Sequence, residues 1–221
     1  MRSHRSAPLR SLPSSSRRPE PVAAVLVKRN VTVAQRELEC VTIPPVFVEL
    51  IPKRGRGLFI LNVYSKPTLQ HRFGELLRRA SAAANGEPLL VAVDFNAPHG
   101  AWGYTRETPK GKRLWEDSQD QRLELIANPA DPTRRGNSVS ADTLPDLAFV
   151  SNVTVASWQN TQEDLGSDHS LIEIAVDTGP SICGTHSEGK GRKLKIVQWD
   201  AFRKKRAEGG RGDEPITDID E

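Results

Sequence analysis

Residues Leu89 to His99, LLVAVDFNAPH, constrain this chain more than any other segment. The continuous apolar run from Leu89 to Val93 is too short for an ordinary helix and reads as a strand buried on both faces. It ends at Asp94, and Asn96 and His99 follow in a loop closed by Pro98 and Gly100. Open α/β sheets bind ligands outside the carboxyl ends of their strands. A buried strand that carries a carboxylate, an amide and an imidazole to that end therefore marks a site. An Asx-type turn accounts equally well for Asp94 and Asn96 taken alone. A second loop, LGSDHS at Leu165 to Ser170, again sets an Asp and a His just before a strand. Two such rims in one chain favour chemistry over turn formation.

The surrounding pattern is α/β. Short apolar segments (AAVLVK, LECVTI and VFVELI) suggest consecutive strands from Val22 onward. The KRGRG turn leads into LFILNVY, a further strand ending in Tyr64. Thr68 is placed to cap a helix through Ala84, with Leu69, Phe73, Leu76, Leu77 and Ala80 on one face, and Asn85-Gly86 stops it. Lys110 to Gln121 reads as a polar helix with Leu114 and Trp115 inward. PDLAFVS, VTVASWQN and SLIEIAV read as strands. Strands with two interspersed helices predict an α/β sandwich of layered sheets. Residues 1–21, arginine- and serine-rich without an acid until Glu20, are expected to be a disordered basic tail rather than a transit peptide. The domain is expected over 22–177, and 178–221 as a Gly-, Ser- and Lys-rich linker with a short basic helix and an acidic tail.

Composition narrows the function classes. The 221 residues carry a net charge of +3, which permits a polyanionic partner without requiring one. Aromatic residues are only 5%, too few for base-stacking platforms to dominate a nucleic-acid contact. Cys40 and Cys183 are far apart and show no zinc-ligand spacing. No apolar run reaches the roughly 18 residues of a membrane span. The expectation is an intracellular chain, nuclear or cytoplasmic and not secreted, that acts as a monomer without a membrane partner.

Convergence of the strand rims would gather Tyr64, Asp94, Asn96, Asp146, Asp168 and His169. Clustered carboxylates raise one another's pKa unless a cation neutralises them. Oxygen ligands suit a hard cation such as Mg²⁺ (or Mn²⁺), held by one or two carboxylates and a substrate phosphate. His169 paired with Asp146 would act as a donor, stabilising charge on a pentavalent phosphorus. Asp94 would orient or deprotonate the attacking water. Asn96 would hold that carboxylate or a phosphate oxygen, and Tyr64 would donate to another. Together these roles describe metal-assisted phosphodiester hydrolysis. Plainer readings stand beside each residue. Asp146 also reads as the opening of a strand, Asp168-His169 as a turn, and Tyr64 as a half-buried core ring. His99, as a mere loop residue, is the weakest of the set. No nucleophile elbow, phosphate-cradling Gly loop or CxxC pair supports another enzyme class.

NVYSKP, VDFNAPH, PDLAFVS and LGSDHS, in this order and spacing, resemble the endonuclease/exonuclease/phosphatase superfamily. More narrowly they resemble the apurinic-type endonuclease domain of non-LTR (LINE-type) retrotransposons, as do WGYTRETPKGKRLWE and VQWDAFRKK. The resemblance spans Val22 to Arg206 and implies a four-layered α/β sandwich, the deoxyribonuclease-I-like fold, with Mg²⁺-dependent nicking of DNA. By the same resemblance, Asp94 and Asn96 act on the water and the phosphate, and Tyr64 contacts phosphate. Asp146 orients His169, and Asp168 belongs to the metal and histidine cluster.

The resemblance also implies two segments that are not seen here, a strand ending in Asn and one ending in Gln-Glu, whose Glu is the principal metal ligand. Glu20, Glu37, Glu39 and Glu49 lack its context. The expectation is therefore an N-terminally truncated domain with weakened metal binding and unpaired sheet edges, a fragment of a mobile-element protein. Two alternatives accompany the endonuclease reading. One is a catalytically inactive remnant with non-specific affinity for nucleic acid through its basic ends; the other is a small-molecule phosphatase of the same superfamily.

Overall fold

The computed structural model describes residues 23–38, 43–69 and 72–179. Eight strands and two helices follow in chain order: β1 (Thr32–Gln35), β2 (Val46–Ile51), β3 (Leu58–Tyr64), α1 (Gly74–Ala84), β4 (Leu89–Asp94), α2 (Pro109–Asp120), β5 (Glu124–Leu125), β6 (Asp146–Ser151), β7 (Val155–Asn160) and β8 (Ile172–Asp177). Six of the strands form one mixed sheet in the order β1-β2-β3-β4-β6-β5, and β7 and β8 pair as a second, two-stranded sheet. β3 and β4 run parallel, linked by a crossover through α1, while β4 and β6 are antiparallel.

Side-chain alternation gives the sheet two different faces. On one, Phe47, Leu61, Val63, Val91, Val93 and Phe149 pack against Leu76, Leu77 and Ala80 of α1 and Leu114 of α2. Phe95 meets Phe73 and Phe149 edge-on, with ring centres 4.9 and 5.9 Å apart. On the other face, Leu50, Leu58, Leu90 and Val150 are covered by Ala156, Ile174 and Val176 of the β7–β8 hairpin. The described residues thus stack a helical layer, the central sheet and the second sheet, the mixed α/β architecture expected.

Several local expectations are corrected. AAVLVK forms no strand; it lies extended, with Val27 on the second apolar cluster and Ala24 O accepting from Asn62 Nδ2 at 2.9 Å. In LECVTI, Leu38 and Ile43 are outside any strand, and residues 39–42 lie outside the described set. α1 begins at Gly74 rather than after Thr68, and Leu69 is 44% exposed instead of facing the core. Phe73 takes the capping position without a side-chain cap, because its ring is wanted in the core. Asn85 ends the helix in the left-handed region, as expected. The basic tail, the linker, the terminal helix, Cys40 and Cys183 all lie outside the described residues.

One contact holds α2 against the loop after β4. A Cβ at Gly111 would overlap the backbone carbonyl of Pro98, so the helix approaches this loop as only glycine allows. Thr108 caps the helix through Gly111 N at 3.0 Å, and its own N–H donates to Pro98 O at 3.0 Å. Replacing a helical glycine by alanine gains about 1 kcal/mol in propensity, whereas overpacking against a rigid backbone costs roughly 1–3 kcal/mol. Gly111→Ala is therefore expected to lower stability, read as a reduced urea midpoint; an increase would show that α2 is free to shift.

Candidate active site

The site follows from strand register. Tyr64 stands opposite Asp94 across β3–β4, and Asp94 opposite Asp146 across β4–β6. Paired residues point to the same face, so three neighbouring strands deliver Tyr64, Asp94 and Asp146 in one row. The row is on the hairpin side of the sheet, at the rim where β3 and β4 end and β6 begins.

Asn96 has φ +46°, a left-handed conformation that Asn tolerates better than most residues. This turn brings its amide back to the strand end, where Nδ2 donates to Asp94 Oδ1 at 2.6 Å and to Ser65 O at 3.2 Å. His169 arrives on the loop before β8. That loop is tied to residues 133–135 by Ser170 N to Thr133 O (2.7 Å) and Arg135 N to Asp168 O (2.8 Å). His169 Nδ1 donates to Asp146 Oδ2 at 2.7 Å. One carboxylate oxygen each of Asp94 and Asp146 and one ring nitrogen of His169 lie within 4.8 Å of one another.

The electrostatics are those of two carboxylates sharing a half-buried rim. Burial, and next the negative charge of Asp146, push the Asp94 carboxyl up to about 6, against the opposing pull of His169 and Asn96. The hydrogen bond to Asp146 raises the pKa of His169, favouring the imidazolium.

The other expected residues are placed as follows. Asp168 is exposed and points away to Arg134, whose Nε donates to its Oδ2 at 2.8 Å; this bond holds its carboxyl below the usual range. It is not in the Asp94–Asp146–His169 group. His99 caps the short 3-10 turn Gly100–Trp102, accepting at Nδ1 from Ala101 N at 3.1 Å, and its ring stacks beside Trp102 and Trp115. That is a structural role. Glu49 sits on β2 in an ion pair with Arg36, away from the rim.

Three residues on or beside the rim escaped sequence reading. Thr133, fully buried in a long loop, donates Oγ1 to Asp146 Oδ2 at 2.6 Å, and Asn160 holds that loop through Pro132 O at 2.8 Å. Tyr104 sits close enough to Asp94 and Asp146 for their charges, with burial as the main cause, to raise its phenol pKa. Lys110 is 1% exposed, and its Nζ donates to Lys66 O at 3.1 Å. No pattern announces Thr133. Lys110 did leave a sign: a cation in the first turn of a helix opposes the macrodipole.

The donor set suits a hard divalent cation. Asp146 Oδ2 is engaged by His169 and Thr133, and Asp94 Oδ1 by Asn96. This leaves one oxygen on each carboxylate clear of these side-chain partners, and one or two carboxylates are what Mg²⁺ commonly takes from a protein.

Comparison with known proteins agrees with the geometry. The family described as endonuclease-reverse transcriptase matches residues 58–173, just over half of the chain. Among solved structures, the endonuclease domain of TRAS1, a telomere-specific non-LTR retrotransposon, is similar at TM-score 0.55 and 15% identity, covering 66% of this chain and 68% of that one. Truncated TDP2 of Caenorhabditis elegans aligns at TM-score 0.41 and 14% identity, covering 66% and 65%. No curated protein matches the chain. The first likeness shows the shared fold.

Both shifted groups hold protons more tightly folded than unfolded, and stability falls with rising pH wherever that is so. The Asp94 contribution is complete below about 3.8 and is lost as pH rises through about 6. That of His169 is complete below about 6.5 and is lost as pH rises through its elevated folded value. Asp94→Asn should therefore gain stability relative to the parent between pH 4 and 7.5, measured by urea unfolding in EDTA. A difference that does not change with pH would show that Asp94 titrates as it does in the unfolded chain.

Proposed function

The chain belongs to the endonuclease-reverse transcriptase family, and from this membership and its acidic rim we infer that it hydrolyses phosphodiester bonds in DNA. The observation that carries the reading is the Asp94–Asp146–His169 group, with Asn96 and Tyr64 on the same rim. In this reading Asp94 accepts a hydrogen bond from the attacking water, and Asn96 fixes the carboxylate that does so. His169, its Nδ1 committed to Asp146, presents Nε2 as a donor to a non-bridging phosphate oxygen, where negative charge grows in the transition state. Tyr64, one strand over, donates to the same phosphate. Mg²⁺ or Mn²⁺, held by the unengaged oxygens of Asp94 and Asp146, would supply Lewis-acid stabilisation of the phosphoryl group.

A second reading is a non-catalytic nucleic-acid-binding domain. It is favoured by the thin ligand set: Asp168 is committed to Arg134, and among the described residues no Glu joins the group. Two carboxylates hold Mg²⁺ weakly unless a substrate phosphate completes the shell.

A nicking assay on supercoiled plasmid with Mg²⁺ separates the two. The endonuclease reading expects relaxed circles, with Asp94→Ala and His169→Ala each at least about 100-fold slower. DNA binding in EDTA without cleavage at any divalent-ion concentration would sink it and leave the second reading.

A further inference from the structure

Among the described residues, Lys110 is the one buried cation that the hydrolytic scheme leaves unused. Its side chain is 1% exposed, and it stands in the first turn of α2, where the helix dipole already contributes positive charge. Nζ lies 5.7 Å from the centre of the Phe73 ring and donates to Lys66 O. An ammonium has three N–H donors, and among the described residues no carboxylate lies within ion-pair distance of this one. Buried charges are otherwise paired or coordinated. Burial lowers its pKa to about 8, against the pull of Asp94, so it remains mostly charged at neutral pH.

The same residue lines a cleft of about 200 Å³ together with Pro67, Asn96, Pro98, Tyr104 and Thr108. At roughly 30 Å³ per water displaced, that volume admits a phosphate and part of its sugar. Asn96 is common to this cleft and to the Asp94 rim, so the two are continuous. The polar groups of the cleft are an ammonium, an amide, a phenol and a hydroxyl. Among the described residues no carboxylate lines it, whereas the adjoining rim has two.

We propose that this cleft is a second phosphate subsite, in which Lys110 neutralises the backbone phosphate next to the scissile one. The proposal rests on the hydrolytic reading above and adds to it how the strand is held in register. The anion supplies the counter-charge that the folded chain withholds from Lys110. Tyr104, between cleft and rim, would face the sugar linking the two phosphates. A purely structural Lys110 would only anchor the Lys66 carbonyl and would contribute nothing to DNA affinity.

Binding of a short fluorescent DNA duplex to the full chain in EDTA, measured across a salt series, tests this without requiring catalysis. Lys110→Met is expected to bind about 3- to 10-fold more weakly at low salt. The slope of log affinity against log salt should fall in magnitude by about 1, the loss of one phosphate contact. Lys110→Arg, which keeps the charge, should recover most of the slope. In the nicking assay the methionine variant should raise KM and leave kcat within about twofold, since the affected interaction is made equally in ground and transition states. An unchanged salt slope in a folded Lys110→Met protein overturns the subsite. If that variant does not fold, the Lys110 side-chain ammonium resonance of the parent protein decides. A shift on adding DNA supports the subsite, and an unmoved resonance rejects it. Failure of the parent to nick DNA counts against hydrolysis alone; an unchanged slope beside intact nicking counts against the subsite alone.

Discussion

The register between β3, β4 and β6 is the constraint on which the rest depends. Slipping one strand by a single residue would turn its terminal side chain to the helical face. Asp94 or Asp146 would then be buried among Phe95, Phe73 and Phe149 instead of facing the hairpin. The register is held by Leu61, Val91, Val93 and Phe149, each at most 5% exposed on one face, and by Leu90 and Val150 on the other. Burial on both faces leaves no register that satisfies one face and sacrifices the other. The geometry of the rim is therefore a consequence of core packing several residues away.

Position alone does not complete the rim; the loops do. Asn96 in its left-handed turn, Thr133 in its buried loop and His169 on a segment tied to residues 133–135 each place one polar group against a strand-end carboxylate. The result is uneven. Asp146 receives two hydrogen bonds on one oxygen and stays a partner of His169, while burial and the charge of Asp146 push the Asp94 carboxyl up to about 6. Under the proposed function, such uneven environments would divide the roles of the two carboxylates, one orienting a donor and the other facing the water.

Much of this was legible in the chain, and the failures have physical causes. LLVAVD, LFILNVY and PDLAFVS are apolar runs closed by polar residues, and strands buried on both faces leave that trace. AAVLVK leaves a similar trace and forms no strand, because strand identity requires a pairing partner and no local pattern records one. Thr68 looked like a cap, but burying Phe73 against Phe95 outweighs one capping hydrogen bond. Asp168 was drawn into the site by its neighbour His169. Asp168 lies in the bend just before His169, and with His169 on Asp146 it turns out to Arg134. Thr133 and Tyr104 come from irregular loops whose paths depend on Asn160, Thr143 and other distant partners.

The charges across the cleft remain unbalanced in a way that points to one kind of occupant. The rim holds two carboxylates with one free oxygen each; the adjoining wall holds a buried ammonium with no acidic partner among the described residues. These two opposite charges form no ion pair: Lys110 donates to a backbone carbonyl, and Asp94 accepts from Asn96. An isolated cation would suit the rim and be repelled by the wall, and an isolated anion the reverse. A polyanion carrying a divalent cation would satisfy both, with a phosphate at the ammonium and the cation held by Asp94 and Asp146. Under the proposed hydrolytic function, a nucleic-acid strand would be such a polyanion.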